Sequence, residues 1–288
     1  MRASWSAVLL AALLSSLVQA AATTVAAVNM PAWLERDGQM RPLAPGATLQ
    51  SSDIIHTGAG ARVLLTLPEG SQVKLGEDAL FRLDSLNGSD GRKTPFTAAL
   101  NVLKGAFRFT TGLISKPRQR EIDVHIATVT AGIRGTDLWG KADNEKDLVC
   151  LLEGNISVQR DGEAGFTTLD QPYDFYVAPK GKPSLPVAKV DPAKVRDDWA
   201  PQTETRPGAG LAKAGGRWSL TLAKVDKQED ALAWYDKLRN AGFDARIRPV
   251  ANGKLAIKLD GLASRDDATA LGARLKAEFD VPDAVVGR

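Results

Sequence analysis

The chain has 288 residues, 37 Lys and Arg against 34 Asp and Glu, a formal charge of +3, and 44% hydrophobic residues. Two histidines and one cysteine exclude a Cys/His zinc site and an internal disulfide, and leave His-dependent nucleophilic catalysis only to His56 or His125. So small a charge does not argue for nucleic acid. What remains is a binding or scaffold protein, or an enzyme working with carboxylates alone, in about two domains.

Residues 1–20 have the layout of a secretory signal peptide. Arg2 lies in a polar start, Ala7 to Val18 runs apolar apart from Ser15 and Ser16, and Val18-Gln19-Ala20 stands where signal peptidase reads. The apolar run is about a dozen residues, short of the roughly 20 that span a bilayer. No cysteine follows it for lipid attachment, and no later stretch is long and apolar enough to span. The expectation is an exported, periplasmic protein that starts near Ala21 and has no transmembrane segment in the mature chain; an uncleaved N-terminal anchor is the alternative. Cys150, among Val149, Leu151 and Leu152, reads as a buried and inert thiol in an oxidising compartment.

Residues 21–178 read as an all-β domain. Arg62 to Leu67 is rich in branched apolar side chains, and Pro68-Glu69-Gly70 supplies a turn. Val73 and Leu75, Phe81 and Leu83, Phe107 and Phe109, Val124 and Ile126, then Ile156 and Val158 repeat the period of two. Leu148 to Leu152 is a fully apolar run, and residues 87–94 read as a polar surface loop. Short strands with glycine-bearing turns indicate a sandwich or barrel-like domain.

Five segments of this half carry a family resemblance. They are Asp53-Ile54-Ile55-His56-Thr57-Gly58, Leu67-Pro68-Glu69-Gly70-Ser71, Gly105-Ala106-Phe107, Thr128 through Leu138 with Ile133-Arg134-Gly135-Thr136 at its centre, and Leu152-Glu153-Gly154. In this order they resemble the FecR domain family. Some members of that family sit in the inner membrane, pair with an outer-membrane transporter and control a sigma factor, using a cytoplasmic segment and a transmembrane helix. This chain shows neither, so the resemblance implies an extracytoplasmic β-domain that contacts a partner or the cell wall. Arg134, Gly135 and Thr136 form the structural motif. Arg134 between two glycines is either a clamp for the turn, bonded to a carboxylate or carbonyls, or a grip for an anionic ligand.

Residues 179–216 read as a linker. Pro179, Pro183, Pro186, Pro192, Pro201 and Pro207 are followed by Gly208, Gly210, Gly215 and Gly216. One short helix at Asp191-Pro192 is expected to pack back on the first domain through Val195 and Trp199.

Residues 217–288 alternate strand and helix patterns. Trp218 to Leu222 is a strand. Ala231, Trp234, Tyr235 and Leu238 stripe a helix that Gly242 ends. Ala245 and Ile247 form a second strand, Asn252-Gly253 a hairpin turn, and Leu255 to Leu259 a third strand. Ser264 caps a second helix whose buried stripe is Ala268, Leu271 and Leu275, and Ala284 to Val286 closes the unit. The order is βαββαβ, the split βαβ arrangement, so the fold class is multidomain: an all-β domain followed by a small α+β one. With Trp218 to Leu222, Ala231, Leu238, Gly242 and Leu255 to Leu259, this segment resembles the SPOR (sporulation-related repeat) domain. That resemblance implies binding to septal peptidoglycan whose glycan strands lack stem peptides. Two positions depart from the family pattern: Thr221 stands where Gln is common, and Leu255-Ala256 where a Tyr-Arg pair is common.

Alternation predicts that Leu220, Leu222, Ala245, Ile247, Ile257 and Leu259 face the helices. The open face then carries Ser219, Thr221, Arg246, Arg248 and Lys258. Hydroxyls and cations suit the carboxylates of muramic acid, although a plain solvated face has the same composition. The face lacks the aromatics that an RNA-reading sheet uses for stacking.

No nucleophile elbow and no phosphate-binding loop occurs. The acidic pairs Asp197-Asp198, Glu229-Asp230 and Asp266-Asp267 sit at helix starts or in polar linker. No metal or cofactor is implied. The sequence therefore points to a non-enzymatic periplasmic protein that binds peptidoglycan through its C-terminal unit and presents the β-domain to an envelope partner. An envelope-signalling or protein-interaction module without glycan binding is the alternative, and a carboxylate-based wall hydrolase a third reading.

Overall fold

A computed structural model describes residues 22–87, 96–112, 120–133, 135–282 and 284–288. The expected signal segment 1–20, Arg134 and all of the loop 87–94 except Asn87 lie outside the described residues.

The β-half is organised by one long strand, Phe96–Thr110. Its first part pairs antiparallel with Leu80–Asn87 and parallel with Arg120–Ile126. Its last part pairs with Gln72–Leu75 on one side and Asp137–Ala142 on the other. Gly105 is where the strand changes sheets. Its φ is +92°, and a Cβ there would lie 2.6 Å from the Cα of Ala79, so the bend needs glycine.

One sheet runs Asp174–Pro179, Lys146–Glu153, Asp137–Ala142, the end of the long strand, Gln72–Leu75, Arg62–Thr66 and Thr24–Asn29. The other runs Gln39–Pro42, Ala32–Arg36, Ile54–Thr57, Leu80–Asn87, the start of the long strand, Arg120–Ile126, Val129–Ile133, Ile156–Arg160 and Thr167–Leu169. Val63, Leu65, Phe107 and Phe109 from the first meet Ile55, Phe81, Leu100 and Ile126 from the second in a single apolar cluster.

Lys146–Glu153 is apolar on both faces because both faces are covered. Val149 and Leu151 enter the main cluster. Leu148 and Cys150 point the other way, into a smaller cluster with Ala106, Trp139 and Val177 that Val190 and Val195 close over. The stretch 179–216 supplies that cover, and so differs from the flexible connection expected of its Pro and Gly content. Asp191 caps the helical turn Pro192–Lys194 by accepting from the Ala193 amide. Trp199 stacks on Trp139 with centroids 4.8 Å apart, and Glu204 pairs with Lys74 and Arg108. Leu211–Lys213 then joins the first sheet beside Thr24–Asn29. We call residues 190–206 the strap.

The last unit has the element order βαββαβ. Its antiparallel sheet is ordered Ala245–Pro249, Leu255–Leu262, Trp218–Val225, Val285–Gly287. The helices Gln228–Asn240 and Arg265–Phe279 bury Ala231, Leu238, Ala268, Leu271 and Leu275 against one face of it. The unit is docked to the β-half. The Ala32 amide donates to Gly242 O (3.2 Å), Trp33 Nε1 to Asn240 O (3.3 Å), and Arg274 Nη1 to Met30 O (2.7 Å). Each of those three bonds draws on a helix, or on the turn that ends one, while a sheet-edge contact adds to them where Ala212 stands opposite Leu262 and the Ala263 amide donates to Leu211 O (2.8 Å).

Candidate functional site

The motif residues of the β-half prove to be joints of the scaffold. Asp53 is 2% exposed; its carboxylate accepts from Arg36 Nε (2.7 Å), Arg36 Nη2 (2.5 Å) and the Gln50 amide (2.7 Å). Thr57 Oγ1 donates to Gly76 O and accepts from the Ala79 amide. Ser71 Oγ accepts from the Gly112 amide. Arg134 lies outside the described residues. Beside it, Gly135 and Thr136 shape the turn entering Asp137–Ala142. The Thr136 amide donates to Thr111 Oγ1, and its carbonyl accepts from the Thr111 amide and hydroxyl. Gly154, with φ +89°, backs onto this turn so closely that a Cβ would sit 2.7 Å from both Gly135 O and Thr136 Cγ2. Asp137 then holds Arg108 through two charge-assisted bonds, at 2.9 and 2.7 Å. The side-chain chemistry of Asp53, Thr57, Ser71 and Asp137 is consumed by the fold, whereas Thr136 is held through its backbone and its buried hydroxyl has no partner. Among the described residues no group of three or more His, Cys, Asp and Glu could hold a metal ion, and no helix is long and apolar enough to cross a membrane.

The open face of the C-terminal sheet is a different kind of surface. Arg246 stands directly opposite Lys258, Lys258 opposite Thr221, and Thr221 opposite Val285, so these four side chains form a row across all four strands. Arg248 follows one pleat on, beside Ala256, which is opposite Lys224 on its other side. Leu220, Leu222, Ala245, Ile257 and Leu259 are buried on the helical side, with Ile247 half-buried. Four of the five predicted residues are thus brought together.

Ser219 departs from the expectation: it is only 8% exposed. Two register irregularities break the alternation of Trp218–Val225, and Ser219 lies in the first, backed by Gly287 with its Oγ 3.1 Å from where a Cβ would stand.

Two residues that bear on this face were missed. Asp244 contacts Arg246 (3.1 Å), and Asp260 contacts Arg248 (3.6 Å). The period of two could have found both, since 244, 246 and 248 share parity, as do 258 and 260. Lys258 has no acid within ion-pair distance among the described residues. Two cations directly opposite each other destabilise a sheet, so the Arg246–Lys258 pair has an electrostatic cost to the fold.

Residues 53–157 match the family described as FecR protein. The match covers the motif joints above and does not extend to the C-terminal unit. No curated protein matches the chain. Among solved structures, two crystal structures of a candidate anti-sigma factor from Parabacteroides distasonis align. One is 15% identical with a TM-score of 0.42, covering 82% of this chain and 98% of that one. The other is 14% identical with a TM-score of 0.42, covering 79% and 91%. A likeness at that level carries no argument about function.

Proposed function

We propose that the chain is a non-enzymatic, periplasmic binding protein of the cell envelope. Its C-terminal unit, which resembles a SPOR domain, takes peptidoglycan glycan strands poor in stem peptides on the face formed by Thr221, Arg246, Arg248 and Lys258, with Ser219 at its covered edge. Its FecR-like β-half meets an envelope protein. The observation that carries the reading is the Arg246–Lys258 pair: an exposed cross-strand repulsion, half of it unpaired, is relieved by an anionic ligand such as a muramic acid carboxylate. The docked helical layer supports it too, because docking through the helices leaves the opposite face of the sheet to a ligand.

A second reading, envelope signalling through protein contacts without glycan, is favoured by Asp244 and Asp260, which neutralise both arginines. Pull-down of the full chain with amidase-treated and untreated sacculi separates the two. Enriched recovery on amidase-treated sacculi, lowered in Arg246→Glu with Arg248→Glu while the melting temperature holds, supports the proposal. Equal background recovery from both kinds of sacculus refutes it, and crosslinking to a membrane partner would then support the second reading.

A further inference from the structure

We infer that the β-half carries a saccharide site of its own, in the cleft between the strap and the hairpin that joins Asp137–Ala142 to Lys146–Glu153. The cleft has a volume of about 270 Å³ and is lined by Trp139, Lys141, Asp143, Lys146, Trp199 and Gln202, among others. A second cavity of about 200 Å³ shares Lys141, Asp143 and Gln202 with it as lining. This inference is independent of the reading of the C-terminal sheet.

The lining combines donors and acceptors with an aromatic wall. Lys141 and Lys146 have no ion-pair partner among the described residues. Asp143 Oδ1 accepts both the Glu145 and Lys146 amides, each at 2.9 Å, which leaves Oδ2 for a ligand. Burial opposes ionisation of Asp143, but those two amides and the charges of Lys141 and Lys146 outweigh it and hold the carboxyl below its ordinary range. Gln202 Nε2 donates to Asp198 O, which fixes the amide and leaves its Oε1 free to accept. Trp199 is half-buried, with Trp139 stacked against one side of it. Trp139 is 2% exposed and its indole N–H is buried without an acceptor, so this residue serves as the back of the aromatic wall.

Ligand class follows from this set. An apolar ligand would strand the ionic side chains, and a compact anion would meet Asp143 and Glu145. A sugar ring has hydroxyls that both donate and accept, so it satisfies Asp143 and Gln202 together with Lys141 and Lys146, while its C–H face packs on an indole.

The test is calorimetric titration of the full chain with tetra-N-acetylchitotetraose, with tri-galacturonic acid, and with glycerol as a generic polyol. It is run in the Arg246→Glu/Arg248→Glu background so that the sheet face does not contribute. Saturable binding of at least one saccharide below about 10 mM, weakened at least about tenfold by Lys141→Ala with Lys146→Ala and independently by Gln202→Ala, is the expected result. Which sugar binds distinguishes a neutral ligand from a carboxylated one. No binding of either sugar, binding matched by glycerol, or affinity unchanged in the cleft variants overturns the inference. Each of these outcomes is distinct from failure on sacculi.

Discussion

Replacing Trp199 with alanine should release the strap while leaving the β-half folded. Trp199 is half-buried, stacks on Trp139 at 4.8 Å and 15°, and meets Phe175 edge-on at 6.4 Å. Truncating a fully buried Trp costs about 3–5 kcal/mol, and half of that plus about 1 kcal/mol for the aromatic pair gives roughly 2.5–3.5 kcal/mol. That loss falls on the strap. Cys150 reports it, since its side chain is 0% exposed in the small cluster that Val190 and Val195 close. Burial, followed by the nearby Asp174 charge, pushes its thiol up to about 12, so the closed form does not react. Labelling by a disulfide reagent near neutral pH therefore reads the open population, and the variant should label roughly 70- to 400-fold faster. Melting monitored by far-UV circular dichroism should still show a cooperative β transition. Labelling at the wild-type rate, or only at denaturant concentrations that unfold the whole chain, would refute the strap as a separately opening layer.

Three further outcomes follow from single residues. Gly154→Ala puts a Cβ against Gly135 and Thr136 at a positive φ; it should cost about 3 kcal/mol or more, read as a lower urea midpoint with unchanged slope. Asp267→Ala removes the acceptor of the Gly208 and Leu211 amides and of the Ser264 hydroxyl from a position 1% exposed; the expected loss is roughly 3 kcal/mol, with faster hydrogen exchange at those two amides, and their continued protection would contradict it. Alkali should weaken the fold through Cys150: the folded thiol is raised from 9.0 to about 12, so stability is complete below the lower value and falls as pH rises toward the upper. By about pH 11 the loss is roughly 3 kcal/mol, and it should be missing from Cys150→Ala.

The period of two was enough to find most of the strands that enclose the core, because Val63, Leu65, Val73, Leu75, Phe107 and Phe109 each have one buried and one open side to choose between. Thr24–Asn29, Val129–Ile133 and Asp137–Ala142 carried weaker signals. Ala26, Ala27, Ala131 and Gly140 have little β propensity of their own, and those strands exist because neighbours pair with them. Of the strap, the capped turn at Asp191-Pro192 and its packing through Val195 and Trp199 were legible, but the fixed course of the rest was not. Its prolines and glycines report local stiffness and turns, not what lies underneath. The clue was elsewhere, in the unbroken run Leu148 to Leu152: a strand apolar on both faces needs a second cover, and no other segment was free to give it. At the sheet face, alternation placed Thr221, Arg246, Arg248 and Lys258 but failed at Ser219, where the bulge breaks the period that the inference relied on.

The strap also changes what kind of molecule this is. A flexible linker would let the C-terminal unit search for a ligand independently of the β-half, but here the connection is bonded at both ends. Asn29 Nδ2 donates to Arg206 O (3.0 Å) and Ala209 O (3.3 Å), and its Oδ1 accepts from the Arg206 amide (2.8 Å). Two residues beyond Arg206, Asp267 at the start of the second helix accepts from Gly208 and, after that, from Leu211. The chain therefore passes from the β-half to the last helix without a free segment between Asn29 and Asp267 as anchors. Arg62 lies under the same crossing, 1% exposed, donating to Ala61 O and Pro201 O with its Nε unpartnered. Burial, and then the Arg206 charge, lower its pKa, with Glu77 at 3.9 Å opposing the shift, so this guanidinium is held under the crossing at some cost. The two halves are therefore joined by a bonded crossing, with Asp267 and Asn29 as its fixed points, rather than by a free tether.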